Sequence, residues 1–85
     1  MDEIYLAMSF VNYEGEDVMK AFRKKEDAEA FVELCCAHHE RKPEFTYDDD
    51  VYQAYEAAMD EWRKSHPFPV AEMADNFYTK AIELL

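Results

Sequence analysis

The chain has 85 residues and carries 20 acidic side chains against 9 basic ones, a net charge of −11. A field of that sign opposes contact with nucleic acid and anionic membranes, because affinity for both comes largely from Lys and Arg neutralising phosphate. The length excludes several domains, and the 49% apolar content with one glycine and three prolines excludes a disordered chain.

Residues 4–13 predict the first strand. Ile4, Leu6, Met8 and Phe10 recur at period two on one face, and Tyr5, Ala7, Ser9 and Val11 lie on the other. Asn12-Tyr13-Glu14-Gly15 predicts a turn, because the only glycine can take a positive φ there without steric cost. Asp17 to Phe22 then reads as a second strand, completing a hairpin.

Lys24 to Glu40 predicts a helix with Ala28, Phe31, Val32 and Cys35 as its apolar stripe. Glu26, Asp27 and Glu29 stand near its positive end, and Pro43 marks its stop. A loop closing on Asp48-Asp49-Asp50 precedes a second helix over Val51–Lys64, with Val51, Tyr55, Ala58 or Met59, and Trp62 on one side. His66-Pro67-Phe68-Pro69 ends it. The last segment fits two periods. A short helix at 69–75 and a strand at 77–84, with Asp75-Asn76 as the turn between, is the better reading, because a two-stranded sheet is marginal alone.

The expectation is one α+β domain over residues 1–85, ordered β-β-α-α-β: a three-stranded antiparallel sheet with helices packed on one face. The strand ending in Asn12-Tyr13-Glu14-Gly15, the second strand, and Lys25-Glu26-Asp27-Ala28-Glu29-Ala30-Phe31 together resemble small accessory proteins of tailed phages and prophages. In those, a hairpin precedes a K-E-x-A-x-x-F helix, and the chain often closes on a strand like Tyr78-Thr79-Lys80-Ala81-Ile82-Glu83-Leu84. The resemblance covers about half the chain. It implies a phage or prophage origin and a role in adjusting host processes, and it brings no active-site residues with it.

The chemistry-bearing candidates are few. Cys35, Cys36, His38 and His39 place thiols and imidazoles three and four residues apart on one helix, which suggests a metal site or a Cys-His nucleophile pair. Zinc needs four ligands, and only His66 remains elsewhere, so two chains would have to share a site. A nucleophile needs a positioned base, an orienting group and an oxyanion stabiliser, and no motif supplies them. The plainer expectation is a buried Cys35 with two exposed histidines near the helix C-terminus. Ser9 and Ser65 lack an elbow motif. For Asp48-Asp49-Asp50 a calcium loop fails at Gln53, where glycine is required, and at Met59, where a bidentate Glu is required. One of the three aspartates is expected to cap the second helix instead. No enzyme activity, metal or cofactor is predicted.

Residues 44–85 hold ten acids against three bases. Glu56 and Asp60 are four apart on the second helix, a like-charge pair that costs about 0.2–0.5 kcal/mol and that helix stability alone would not favour. Asp48, Asp49, Asp50, Glu56, Asp60, Glu61 and Trp62 are therefore the expected partner-binding residues; of the aromatics around this helix, Tyr47, Tyr52, Tyr55, Trp62 and Phe68, most are expected in the core and any exposed beside the acids as binding anchors. The partner expected is a host protein with a basic surface. Two alternatives stand beside this: an acidic mimic of nucleic acid that blocks a DNA- or RNA-binding protein, and a homodimer joined at an open sheet edge with no chemistry of its own. Adjacent cysteines that cannot easily close a disulfide, and an N-terminal stretch with neither basic flank nor long apolar run, predict a reducing cytoplasmic setting, that of the host cell.

Overall fold

The computed structural model describes residues 3–45 and 48–83, with Asp49 described by its backbone alone. Its elements are β1 (Glu3–Val11), β2 (Gly15–Phe22), α1 (Lys25–Glu40), α2 (Asp49–Lys64), a single 3-10 turn (Pro69–Ala71) and β3 (Asn76–Glu83). They form an antiparallel sheet in the order β2-β1-β3. The predicted α+β class and β-β-α-α-β order are what the structure has.

The hairpin turn forms where the sequence placed it. Tyr13 takes φ 71° and Gly15 φ 96°, and the Glu14 amide donates to the Val11 carbonyl at 3.1 Å. Because the reversal is complete at Gly15, β2 starts two residues before the expected Asp17. The helix expected at 69–75 contracts to the one turn Pro69–Ala71. Beyond it, the Asp75 amide donates to the Phe10 carbonyl at 2.8 Å while its carboxylate accepts from the Asn12 amide at 2.7 Å. These bonds tie the end of β1 to the entry of β3. The register then runs regularly from Phe10 opposite Asn76 to Glu3 opposite Glu83. Leu84, placed in the last strand from sequence, lies outside the described residues.

The alternation in β1 has a physical outcome that the period alone leaves open. α1 packs on the face of Tyr5, Ala7, Ser9 and Val11, where Ala7, Met19, Cys35, Ala71, Ala74 and Phe77 form the buried core, flanked by Phe22, Phe31, Val32 and Phe68. Ala7, Ala28 and Cys35 are fully buried. Small residues at Ala7, Ala28 and Cys35 let the helix approach the strands closely, and Met19, Phe31 and Phe77 fill the space around that contact. The register of β2 slips between Ala7 and Met8, so Met19 is an extra residue, a bulge that turns its side chain into this core. Ile4, Leu6, Met8 and Phe10, the more apolar set, face away from α1.

Among the described residues α1 is the helix that packs along the sheet, touching all three strands. α2 is attached at its C-terminal end, where Met59 and Trp62 are buried, and most of its length stands off the body. The molecule is 58 Å long and only 15 Å across its thinnest axis. Its accessible surface of 6466 Å² exceeds by roughly a fifth the area usual for a folded monomer of this mass.

Candidate protein-binding site on α2

α2 begins at an aspartate cap: the Asp48 side chain accepts from the Asp50 amide at 3.0 Å, satisfying an amide that the first turn leaves without an intrahelical partner. The helix runs 16 residues, about 24 Å at 1.5 Å per residue. Its carboxylates at Asp50, Glu56, Asp60 and Glu61 all belong to exposed residues. Val51 and Tyr52 are exposed beside them, and Tyr55 is half-buried.

Phe45, in the segment leading to α2, comes back onto the helix. Its ring meets Tyr55 edge-on, with centroids 5.5 Å apart and planes at 88°, and Tyr52 stands 6.0 Å from Tyr55. The three rings, with Glu56, Met59, Asp60 and Arg63, line a shallow groove along the helix. Aromatic walls beside two carboxylates favour a cation, which gains from the ring faces and from Coulomb attraction together. Arg63, the base in the groove, is committed elsewhere: its Nε lies 3.3 Å from a Glu72 carboxylate oxygen.

The far end of α2 is held by a cluster of rings. Trp62 Nε1–H donates to the His38 carbonyl at 2.7 Å, and His38 Nε2–H donates to the Trp62 carbonyl at 2.7 Å. The two rings stack at 4.9 Å. His66 accepts the Phe68 amide at Nδ1 (2.9 Å), which leaves its proton on Nε2, so that Nε2–H donates to His39 Nε2 at 2.7 Å. His39 in turn packs edge-on against Trp62 and Phe77. Burial, the neighbouring His66 and Lys42 push the His39 pKa down to about 4, and burial lowers that of His66. This cluster is a joint between α1 and α2, and its His39–His66 pair is held neutral.

Two expectations are corrected by this geometry, and the cysteine-histidine cluster that the helix spacing suggested is not formed. Trp62 is buried and hydrogen-bonded, so it anchors the helix and is not an exposed binding residue. His38 is buried and His39 half-buried, not the exposed pair expected at the end of α1, because the ring stack with Trp62 and His66 covers them. The Cys35, Cys36, His38 and His39 set is not gathered into one site: Cys35 belongs to the sheet-side core, His38 is engaged with Trp62 and His39 with His66. Among the described residues no group of three or more His, Cys, Asp or Glu could hold a metal ion. Burial raises the Cys35 thiol to about 11, and burial with Glu40 and Glu33 raises Cys36, the reverse of what an activated nucleophile needs.

The other predicted residues stay on α2 or its cap. Asp48 is exposed and caps the helix, Asp50 lies in its first turn, and Glu56 and Asp60 line the groove with Tyr52 and Tyr55. Glu61 is exposed but outside the groove lining. The side chain of Asp49 and the whole of Tyr47 lie outside the described residues. Phe68 is apart from α2, packed at 6.5 Å on Phe31 in the core. Sequence reasoning missed Phe45 as a wall of the groove and His66 as a member of the joint. The position of His66 two residues after Lys64 was a usable signal, since a side chain at a helix end can fold back on the helix it leaves. No helix among the described residues is long and apolar enough to cross a membrane. Comparison with known protein families, curated proteins and solved structures finds no match.

Proposed function

We propose that this chain is a non-catalytic module that binds a protein through the acidic, aromatic groove of α2, the partner presenting a basic surface. The observation that carries the reading is the juxtaposition of Glu56 and Asp60 with the rings of Phe45, Tyr52 and Tyr55 on a helix standing off the body. A rigid helix loses little freedom on binding, and tyrosines beside carboxylates are strong interface anchors. The raised thiols and neutral, mutually bonded imidazoles support a role without catalysis. With the resemblance of the N-terminal half to phage accessory proteins, the proposed partner is a host protein of the cytoplasm.

The test is capture from host lysate at low and moderate salt with the wild-type chain and the Glu56→Lys/Asp60→Lys variant. A partner held by the wild type, weakened by salt and lost in the variant is the expected result. No partner above background at either salt, or one held equally by both chains, overturns the reading. A narrower version has the partner's basic surface normally holding nucleic acid, since exposed acids at Asp48, Asp50, Glu56, Asp60 and Glu61 recur along the helix. Competition decides it: duplex DNA or RNA must displace the captured partner.

A further inference from the structure

Among the described residues no helix packs along the sheet face turned away from α1. On β1 it carries Ile4, Leu6, Met8 and Phe10; the register brings Val18 and Tyr78 beside Met8, Ala21 and Lys80 beside Leu6, Glu16 and Asn76 beside Phe10, and Ile82 beside Ile4. Val18 is 54% exposed and Ile82 43%, Ile4, Leu6, Phe10 and Tyr78 are half-buried, and Met8 at the centre, 3% exposed, is already buried within one chain. An antiparallel sheet with one face in water normally sets polar residues on that face. Here the order is inverted, and a contiguous apolar patch of this kind marks an interaction surface.

We infer that this face is the interface of a homodimer, two copies of the chain packing sheet on sheet through Leu6, Phe10, Val18 and Ile82.

Charge selects the second copy as occupant. On a chain of net charge −11, most surfaces repel a copy of themselves. The paired positions of this face hold one acid and one base, Glu16 and Lys80, which sum to zero. Lys80 Nζ reaches Glu16 Oε1 at 3.4 Å within one chain, across the top of β1. Under a two-fold axis along β1, β2 of one copy lies over β3 of the other. Glu16 of each chain then sits along the same edge as Lys80 of its partner, so the pairs can exchange between copies. Isologous contacts require this self-complementarity. The open α2 groove offers none of it, since its charged groups are Glu56, Asp60 and an Arg63 already paired with Glu72.

Area is consistent with the same occupant. Three strands spaced about 4.8 Å apart and eight residues long give a footprint of roughly 14 by 27 Å. Interdigitated side chains raise the accessible surface removed to about 600 Å² per copy, near the lower limit for a specific interface. Aligned sheet packing at about −30° is the geometry expected. The surface is distinct from α2, so this inference stands whether or not α2 binds a partner.

Light scattering coupled to size exclusion, followed by sedimentation equilibrium up to about 100 µM, reads the mass well above the micromolar constants that interfaces this small reach. The expected result is a dimer for the wild type. Val18→Glu and Ile82→Lys, both at positions already exposed in one chain, give monomers with unchanged circular dichroism. Glu16→Lys alone places two bases on the face and Lys80→Glu alone two acids; each self-associates at least ten-fold more weakly, and a mixture of the two forms heterodimers. A wild type monomeric throughout that range, or a dimer that ignores all four substitutions, overturns the inference. So does a mixture that shows no preference for heterodimers.

Discussion

The Nε2 atoms of His39, on α1, and His66, just beyond α2, lie 2.7 Å apart, and one proton lies between them. The acceptor role of His66 Nδ1 toward the Phe68 amide fixes which ring donates. A second proton has no place there, because both Nε2 atoms would then be donors facing each other. The joint between the helices is therefore made for neutral imidazoles.

Its pH dependence follows. His39 is lowered from an ordinary 6.5 to about 4 by burial first, then by His66, Lys42 and His38, and His66 is lowered by burial first. Between those limits the unfolded chain binds more protons than the folded one, so stability rises with pH from about 4 to 6.5 and is flat above 7. Partial solvent access screens the effect, leaving roughly 1–2 kcal/mol lost on descending from pH 7 to 4.5 beyond what the carboxylates contribute. Urea unfolding across that range checks it. His39→Gln, which keeps a hydrogen-bonding group and removes the titration, should flatten the curve; an unchanged slope in that variant refutes the assignment.

Trp62 is predicted to matter for the attachment of α2 more than for the sheet. Trp62→Phe removes the Nε1–H donor to the His38 carbonyl, which keeps the Arg41 amide at 3.1 Å, so the cost is that of one hydrogen bond, about 1 kcal/mol. Trp62→Ala also removes the stack with His38 and the edge contacts of His39 and His66, for about 3–5 kcal/mol. Amide exchange separates the two parts: α2 amides should lose protection in Trp62→Phe while those of β1 keep it. Equal loss along β1 and α2 would show one cooperative unit instead.

The elements were legible in the sequence because each had a local cause: alternation over 4–11, the 28-31-32-35 stripe, the lone glycine, the aspartates before Val51. What the sequence did not show depends on contacts between distant segments. Alternation in β1 defines two faces but not which one receives α1. Size alone would have chosen Ile4, Leu6, Met8 and Phe10, whereas close approach of the helix chose Ala7 and Ser9. Trp62 looked like a binding anchor, since nothing near it in sequence signals that His38, 24 residues earlier, exchanges two hydrogen bonds with it. The acids of α2 were readable as a surface; the groove was not, because nothing local in sequence sets the Phe45 ring against Tyr55, ten residues on.

The hairpin turn holds an opportunity for stabilisation. Tyr13 takes φ 71° with its side chain fully exposed, so it bears the left-handed conformation with no burial in return. Tyr13→Asn or Tyr13→Gly should raise stability by about 0.5–1 kcal/mol, seen as a higher thermal midpoint. Gly15 at φ 96° has nothing within 4 Å of an added Cβ, so Gly15→Ala costs backbone strain alone, on the order of 1 kcal/mol, with no steric component. Opposite signs at two positions two residues apart make a sharp measurement. A destabilised Tyr13→Gly would mean that the exposed ring contributes something beyond the turn.

The two cysteines are adjacent in sequence and should differ in reactivity. Cys35 is fully buried between α1 and the sheet, and its thiol, raised to about 11, is almost entirely protonated at pH 8. Cys36 is half-buried on the neighbouring face, beside Glu40 and Glu33, and can be reached without opening the core. Native alkylation followed by mass spectrometry should therefore label Cys36 first, more slowly than a free thiol, while Cys35 is labelled only at the rate at which α1 lifts from the sheet. Sub-denaturing urea should speed Cys35 and barely affect Cys36. Since the Cys35 side chain is packed in the core, Cys35→Ser, which buries a hydroxyl, should cost about 1–3 kcal/mol and Cys36→Ser well under 1. Equal labelling of both thiols in the folded chain would contradict the burial of Cys35 on which the α1–sheet core rests.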